Sequence, residues 1–168
     1  IGGTKTAVAL FSTDSDTLQP IVEMTFQNRN YDSLEAIIYD FMRDNPKAIT
    51  SASFGVAGPV VKGRANITNL PWVIDQEAIQ KAFDFPKVHL LNDLEAIASA
   101  VPHLTTEDLV TLNVGVTEPK GAIAVIAPGT GLGEAFLVWD GSMYQAHPSE
   151  GGHVSFGPTN PDQVALLM

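Results

Sequence analysis

The sequence predicts an α/β protein in which short strands alternate with amphipathic helices. Residues 88–93 form a brief apolar run that ends on an amide and a carboxylate, and a helical stretch over 94–101 follows at once. Apolar runs of this length are typical of strands that are buried within a sheet. A second strand, over 49–56, follows a helix predicted over 32–44, so the alternation occurs twice.

Composition narrows the range of partners. The chain has 168 residues, of which 45% are hydrophobic, and this is enough for a core. Its net charge of −10 repels nucleic acids and anionic membranes. It has no cysteine, and no apolar run is long enough to span a membrane. We therefore expect a soluble cytoplasmic protein with no nucleic acid and no membrane partner, although backbone N–H groups could still hold a nucleotide.

The chain opens with a tight turn that leads into a strand. Gly2 and Gly3 can adopt positive φ, so backbone N–H groups and the Thr4 hydroxyl could point at an anion. An ordinary hairpin turn would account for the same residues. Strands are predicted over 6–11 and 21–26, which suits a meander at the start of a domain.

A helix and a strand with a small-residue exit come next. Asp32 and Glu35 resemble a capping box for the helix over 32–44. The strand over 49–56 runs into Gly55–Val60, whose small residues would let either a ligand or a neighbouring chain segment come close.

The loop over 66–72 carries amide, hydroxyl and indole groups, with Asn69 among them. This assortment suits a polyol such as a sugar, and an ordered surface loop is the alternative. Asp75 is expected to cap a helix over 76–83.

Asp93 is the candidate for chemistry in this part of the chain. It follows a predicted buried strand, and open α/β sheets place their ligands beyond the carboxyl ends of their strands. The alternative is that Asn92 or Asp93 only caps the helix that follows.

A second glycine-threonine turn occurs later in the chain. A strand over 122–127 runs into Gly129-Thr130-Gly131, the strand pattern resumes at Ala135–Val138, and Asp140-Gly141 predicts a hairpin. The turn fits neither the P-loop pattern nor the dinucleotide fingerprint, because it has no Gly-Lys-Ser/Thr and no helix follows it. Two such turns in one chain are harder to explain as ordinary hairpin turns than one.

Glu150 and His153 flank two adjacent glycines. An acid and a histidine three positions apart could ligate a metal, but with no third ligand in evidence no metal site is predicted. Paired hydrogen bonding to a polar ligand is favoured, and a structural loop is the alternative.

The segment Glu118–Gly121 is expected to mark a domain boundary. We predict a small N-terminal α/β domain over 1–113, with a mixed sheet and flanking helices, and the beginning of a larger, truncated domain over 114–168. The strand expected before Ile1 and the helix expected near Met168 are both cut short, so the sequence is expected to be a fragment.

Taken together, six segments resemble the bacterial-type glucokinases, in the sugar-kinase branch of the actin-like (ribonuclease H-like) ATPase superfamily. They occur in the order of that family and cover almost the whole chain. The segments are Ile1-Gly2-Gly3-Thr4, Gly55-Val56-Ala57-Gly58-Pro59, Thr68-Asn69-Leu70-Pro71-Trp72, Leu91-Asn92-Asp93, Gly129-Thr130-Gly131-Leu132-Gly133 and Glu150-Gly151-Gly152-His153.

The resemblance implies a ribonuclease H-like fold and the transfer of a phosphoryl group from ATP, with Mg²⁺, to the 6-hydroxyl of glucose, the first step of glycolysis. It assigns the role of catalytic base to Asp93. The implied substrate-binding residues are Asn69, Asn92, Asp93, Glu150 and His153, and the implied phosphate turns are Gly2, Gly3, Thr4 and Gly129, Thr130, Gly131. A homodimer is also suggested by the family.

Some family features are missing from this sequence. The family has an acidic residue before the position of Ile1, and its adenosine-binding part lies beyond that of Met168. The 168 residues alone are therefore expected to be inactive. Two alternatives stay open: a kinase for a related hexose or N-acetylated amino sugar, and a sugar-sensing protein of the same fold that transfers no phosphate.

Overall fold

The computed structural model describes residues 1–13, 19–67, 70–129 and 131–167. The chain forms two compact units, Ile1–Ala96 and Ile97–Met168, called here unit 1 and unit 2. Within the described ranges, no helix has the length and apolar character needed to cross a membrane. The domain division expected after residue 113 stays a prediction.

The described part of unit 1 contains six strands that form three pairs. Strand β1 pairs with β2 and β4 pairs with β5, both antiparallel, whereas β3 and β6 are parallel. Their bounds are β1 Lys5–Leu10, β2 Val22–Gln27, β3 Ala52–Val56, β4 Arg64–Asn66, β5 Val73–Asp75 and β6 Val88–Asn92. The four strands predicted in this part of the chain are confirmed. The hairpin of β4 and β5 was not expected, because three-residue strands are too short to show an alternating pattern.

Helix α1 (Leu34–Asp44) packs its apolar face into the core of unit 1. Its N-cap is Ser33, whose Oγ accepts a hydrogen bond from the N–H of Ala36 at 3.3 Å. The expected capping box of Asp32 and Glu35 is therefore wrong by one position. Leu34, Ile37, Ile38 and Phe41 form the buried face of the helix.

Helix α2 (Gln76–Phe83) is capped by Asp75, as predicted. One carboxylate oxygen of Asp75 accepts hydrogen bonds from the N–H groups of Glu77 and Ala78, at 3.0 and 3.1 Å. The other oxygen lies 2.7 Å from Nε of Arg64, its partner across the β4–β5 ladder. The bond from Ala78 is the main reason that the pKa of Asp75 is lowered, and Arg64 adds to the effect. One side chain thus joins a helix start to a hairpin.

Helix α3 (Asp93–Ala100) follows β6 without a gap, and a 3₁₀ turn over Val101–His103 ends it at the predicted proline. The sequence division between the two units falls inside this helix.

Unit 2 is built on an antiparallel sheet of three strands in the order β7, β8, β9. The strands are β7 Ile123–Pro128, β8 Leu132–Trp139 and β9 Tyr144–Ser149, and a 3₁₀ turn over Gly151–His153 and helix α4 (Pro161–Ala165) follow. The predicted hairpin at Asp140 is confirmed. The predicted hairpin implied a second strand, but the bounds of β9 were not predicted, since Pro148 and alternating polar residues obscure its pattern.

Two local contacts hold unit 2 together at the far end of the β8–β9 hairpin. Oδ1 of Asp140 accepts from the N–H groups of Ser142 and Met143, at 2.8 and 2.9 Å, and these bonds lower the pKa of Asp140 well below its usual range. Nζ of Lys120 lies 5.1 Å from the centre of the Trp139 ring, within the range of a cation–π contact.

Loss of the Asp75 carboxylate is expected to destabilise unit 1 in a pH-dependent way. Because the folded pKa of Asp75 is lowered, its contribution is present above about pH 4 and is lost as the pH falls further. Asp75→Ala should lower Tm by a few degrees near pH 7, and the difference from wild type should shrink towards pH 3. Thermal unfolding can be followed by the fluorescence of the buried Trp72 in a Trp139→Phe background.

Asp32→Ala is the matched control, because Asp32 is the exposed aspartate next to the α1 cap and does not serve as that cap. Its Tm should change little at either pH. A difference between Asp75→Ala and wild type that stays constant in acid would contradict the role given to the carboxylate.

Candidate active site

Asp93 lies where strand β6 ends and helix α3 begins. The Asn92 side chain caps the helix: its Oδ1 accepts from the N–H groups of Leu94, at 2.9 Å, and Glu95, at 3.3 Å. Oδ1 of Asp93 also accepts from Leu94, at 2.9 Å, and both side chains are half-buried. Asn92 thus fills the capping role that the sequence had left open between the two residues. Asp93 stays at the helix N-terminus, where the helix dipole favours negative charge.

The Asn92 amide also connects two chain segments at this strand end. Nδ2 donates to the carbonyl oxygen of Gly58 at 3.0 Å. At Gly55 an added Cβ would lie 3.2 Å from Cβ of Ala96, so a glycine allows α3 to pack closely on β3. Gly58 has φ +150°, and an added Cβ would lie 3.1 Å from the oxygen of Asn66. The small residues from Gly55 onwards therefore serve close packing of the backbone, one of the two readings that the sequence offered.

The turn over Gly2–Thr4 is held from inside unit 1 by Asn28. The Asn28 side chain donates to the Gly2 oxygen and accepts from the Thr6 hydroxyl, both at 2.8 Å, while its backbone N–H donates to Thr4 at 3.0 Å. Asn28 and Thr6 are each 1% exposed. Gly3 and Thr4 lie exposed at the tip, where their N–H groups are accessible. The turn is thus a rigid loop with a solvent-facing tip.

Ile1 places the start of this turn near Asp93. Its nitrogen donates to Gly55 at 2.6 Å and its carbonyl accepts from Ala57 at 3.0 Å, the pattern of a parallel strand pairing on either side of Val56. In the β3–β6 ladder Val56 lies opposite Asn92, the residue that precedes Asp93. Asp93 and the Gly2–Thr4 turn therefore lie at the same end of unit 1.

Asn28 is the functional candidate that sequence reasoning missed. It sits in a polar tripeptide after β2, which has the composition of an ordinary surface loop. The burial of a single amide within a polar tripeptide does not change the local sequence pattern, so Asn28 could be identified only from the fold.

In unit 2, the turn over Gly129–Gly131 is the loop of the β7–β8 hairpin. Pro128 pairs with Leu132, and the N–H of Gly129 donates to the oxygen of Gly131 at 2.8 Å. A Cβ added at either glycine would meet no atom of the described chain within 4 Å. Packing within the chain therefore does not require glycine at these positions. Thr130, the third residue predicted here, lies outside the described residues.

Glu150 and His153 lie together at the end of strand β9. Oε2 of Glu150 is 3.6 Å from Nε2 of His153, and each side chain is 78% exposed. An ion pair this exposed adds little stability, so both polar ends are accessible to a ligand. The described parts of the chain contain no group of three or more His, Asp or Glu side chains that could hold a metal ion. Asn69, the remaining predicted residue, lies outside the described residues.

Comparisons with known proteins identify the family of the chain. The family model for glucokinases matches residues 1–168, the whole of the sequence. The chain belongs to the glucokinase family. The glucokinase of Nostoc punctiforme is 39% identical to this glucokinase-family chain over 169 residues, an alignment that covers 99% of this chain and 50% of that protein. The glucokinase of a Synechocystis species is 31% identical, again over 99% and 50%.

Solved glucokinase structures confirm the predicted fold class, a ribonuclease H-like α/β fold. The crystal structure of a glucokinase from an Antarctic psychrotroph superposes with a TM-score of 0.86 at 30% identity, covering 99% of this chain and 53% of that one. A glucokinase from Balamuthia mandrillaris, solved in complex with glucose, gives a TM-score of 0.65 at 27% identity, covering 99% and 51%. The glucokinase-family chain spans about half the length of the curated relatives it matches.

Removal of the Asn28 amide is expected to destabilise unit 1. Asn28→Ala leaves the buried Thr6 hydroxyl and the Gly2 carbonyl without their partner, which costs about 1–3 kcal/mol for a buried unsatisfied group. Urea unfolding, followed by Trp72 fluorescence, measures the change in the free energy of unfolding.

The matched control is Asn30→Ala, since Asn30 is exposed in the same 3₁₀ turn. It should change stability by less than about 0.5 kcal/mol. Equal stability of the two variants would show that the Asn28 network does not hold the turn.

Proposed function

We propose that the protein to which this chain belongs is a glucokinase that transfers the γ-phosphoryl group of ATP to the 6-hydroxyl of glucose. The observation that carries the proposal is the placement of Asp93, half-buried at the start of α3 and near the Gly2–Thr4 turn, in a chain of the glucokinase family. The family is shown, whereas the activity is proposed, because the chain spans about half the length of its relatives.

Asp93 is proposed as the general base. Its carboxylate accepts the proton of the sugar hydroxyl as that oxygen attacks the γ-phosphorus; the new P–O bond forms while the bond to the β-phosphate oxygen breaks, and ADP leaves. One carboxylate oxygen is held by the N–H of Leu94 at 2.9 Å, which fixes the group while the second oxygen faces the substrate in this proposal. A positioned base typically contributes about 10²- to 10⁴-fold to the rate.

The sugar is proposed to bind to Asn92, Asp93, Glu150, His153 and Asn69. Asn92 has used one N–H of its amide on Gly58 and its oxygen on α3, so the second N–H is the group it can offer a hydroxyl. Glu150 supplies acceptors and His153 can donate or accept, and their exposure supports a binding role. The complex of the Balamuthia mandrillaris glucokinase with glucose supports glucose as the ligand.

The phosphates of ATP are proposed to lie against Gly2, Gly3 and Thr4 in unit 1 and against Gly129, Thr130 and Gly131 in unit 2. The open space at Gly129 and Gly131 supports this, because backbone without a Cβ lets phosphate oxygens reach N–H groups directly. Mg²⁺ enters as the Mg²⁺–ATP substrate. Ions of this kind keep several waters and need only one or two protein carboxylates besides the phosphates, which suits a chain whose described residues form no larger acidic cluster.

The location is argued from composition and from the family resemblance, and the assembly from the family resemblance alone. We propose a cytoplasmic enzyme and a homodimer, and sedimentation of the complete protein checks the second point.

Replacing Asp93 by asparagine tests the base. The amide keeps the oxygen that accepts from Leu94 but cannot take up a proton, so kcat should fall about 10²-fold or more while the KM for glucose changes little. The assay couples glucose 6-phosphate formation to a dehydrogenase and uses the product of the complete gene. Asp84→Asn is the control, because Asp84 is exposed at the end of α2 in a left-handed conformation that asparagine tolerates well. A fully active Asp93→Asn enzyme would remove Asp93 from this role.

The sugar itself is tested with a panel of glucose, mannose, fructose and N-acetylglucosamine at fixed Mg²⁺–ATP. We expect glucose to give the highest kcat/KM. A higher value for another sugar would show a kinase for that sugar. Glucose binding without phosphorylation of any sugar would instead indicate a sugar-sensing protein.

A further inference from the structure

The two turns of unit 2 that are proposed to meet the substrates lie against each other. We call Gly129–Gly131 the phosphate turn and Glu150–His153 the sugar turn. The phosphate turn leads directly into β8 at Leu132, and the sugar turn leaves β9 after Ser149. Glu134 pairs with Ser149 in this antiparallel ladder, so two further steps of the same register bring Leu132 opposite Gly151. Both turns therefore lie at the same end of the β8–β9 hairpin.

Backbone contact between the turns is closest at Gly152. A Cβ added to Gly152 would collide with the carbonyl oxygen of Leu132, and would lie only 2.9 Å from its carbonyl carbon and 3.1 Å from its Cβ. The oxygen and the carbonyl carbon are main-chain atoms of a paired strand, so they cannot move aside as the end of a side chain can. The absence of a side chain at Gly152 is what allows the sugar turn to rest on the strand that carries the phosphate turn.

Gly151 differs from Gly152 in what it faces. An added Cβ there would meet the carboxylate of Glu134, whose Cδ would be 3.3 Å away, and Oγ of Ser149 at 3.2 Å. The Glu134 carboxylate is the free end of a flexible chain and can rotate away. The N–H of Gly151 donates to Ser149 at 3.1 Å, and the N–H of His153 donates to the oxygen of Glu150 at 3.0 Å, so the sugar turn is itself tightly closed. Because these hydrogen bonds close the turn, a displacement of Gly152 also displaces Glu150 and His153.

We propose that Gly152 is a positioning residue that couples the two turns through the main chain of Leu132, so that binding of the sugar and binding of the nucleotide favour each other. The inference rests on the proposed function, because it takes the ligands of the two turns from there. Occupation of the sugar turn holds Gly152 against Leu132, and this contact fixes the start of β8 and with it the N–H groups of the phosphate turn. By linkage the nucleotide must then strengthen sugar binding by the same factor.

The test is calorimetric titration of glucose into the product of the complete gene, with and without a non-hydrolysable Mg²⁺–ATP analogue. In the wild type the analogue should lower the Kd of glucose by about fivefold or more, the lower end of typical coupling factors. In Gly152→Ala the factor should fall below about twofold. In Gly157→Ala the factor should be kept, because no atom of the described chain lies within 4 Å of a Cβ added there.

The outcomes separate the inference from the proposed function. A wild type that binds neither glucose nor the analogue refutes the proposed function. A wild type that binds both without coupling, or a folded Gly152→Ala protein that keeps the full factor, overturns the inference alone. Circular dichroism and Tm establish whether each variant folds.

A second measurement covers the case in which Gly152→Ala does not fold. Glucose alone is titrated into ¹⁵N-labelled wild-type protein, and amide resonances are followed. Shifts at Gly131 and Leu132, with Gly157 unchanged, are the expected result. Shifts confined to residues 150–154 would overturn the coupling, since the contact would then transmit nothing to the phosphate turn.

Discussion

Strands β3 and β6 pair in parallel over five residues, and this pairing brings the carboxyl ends of both strands to the same edge of unit 1. Val56 lies opposite Asn92 in the ladder, so the strand exit at Gly58 and the start of α3 are neighbours before any side chain is considered. The Asn92 amide then joins them, and Ile1 adds a third segment beside Val56. The position of Asp93 is therefore a consequence of backbone pairing, which tolerates little displacement.

The two glycine-rich turns are held in place by different means. The Gly2–Thr4 turn is held by buried Asn28, whose side chain bonds the Gly2 carbonyl and the Thr6 hydroxyl and whose backbone N–H bonds the Thr4 carbonyl. The Gly129–Gly131 turn is the tip of a hairpin, and the ladder of β7, β8 and β9 determines where it lies. Asp140 fixes that ladder from its opposite end by bonding the backbone of the β8–β9 turn. A polar core residue supports one turn and strand register supports the other.

Much of this arrangement could be read from local sequence. Three features could be predicted because a few neighbouring residues have the pattern that is typical of the element. They are the strand that ends on Asn92 and Asp93, the Asp75 cap and the hairpin at Asp140. Features that depend on distant partners could not be read. Ser33 rather than Asp32 caps α1, because the helix begins at Leu34. Asn28 is buried because two strands and a turn surround it. The six family segments identified the candidate residues, but only the coordinates show that Asn92 is largely committed to supporting the backbone.

The phosphate turn of unit 2 lies in a part of the sequence that is almost without lysine and arginine. Lys120 is the single lysine or arginine in residues 97–168, and its ammonium group lies over the Trp139 ring. Anionic phosphates would therefore be held there by fixed backbone dipoles, inside the field of a chain whose net charge is −10. Dissolved salt screens that field over about 10 Å at 0.1 M ionic strength, while dipoles in direct contact with a ligand are screened far less. In the proposed function, phosphate binding at this turn should therefore depend less on ionic strength than binding by a basic surface does.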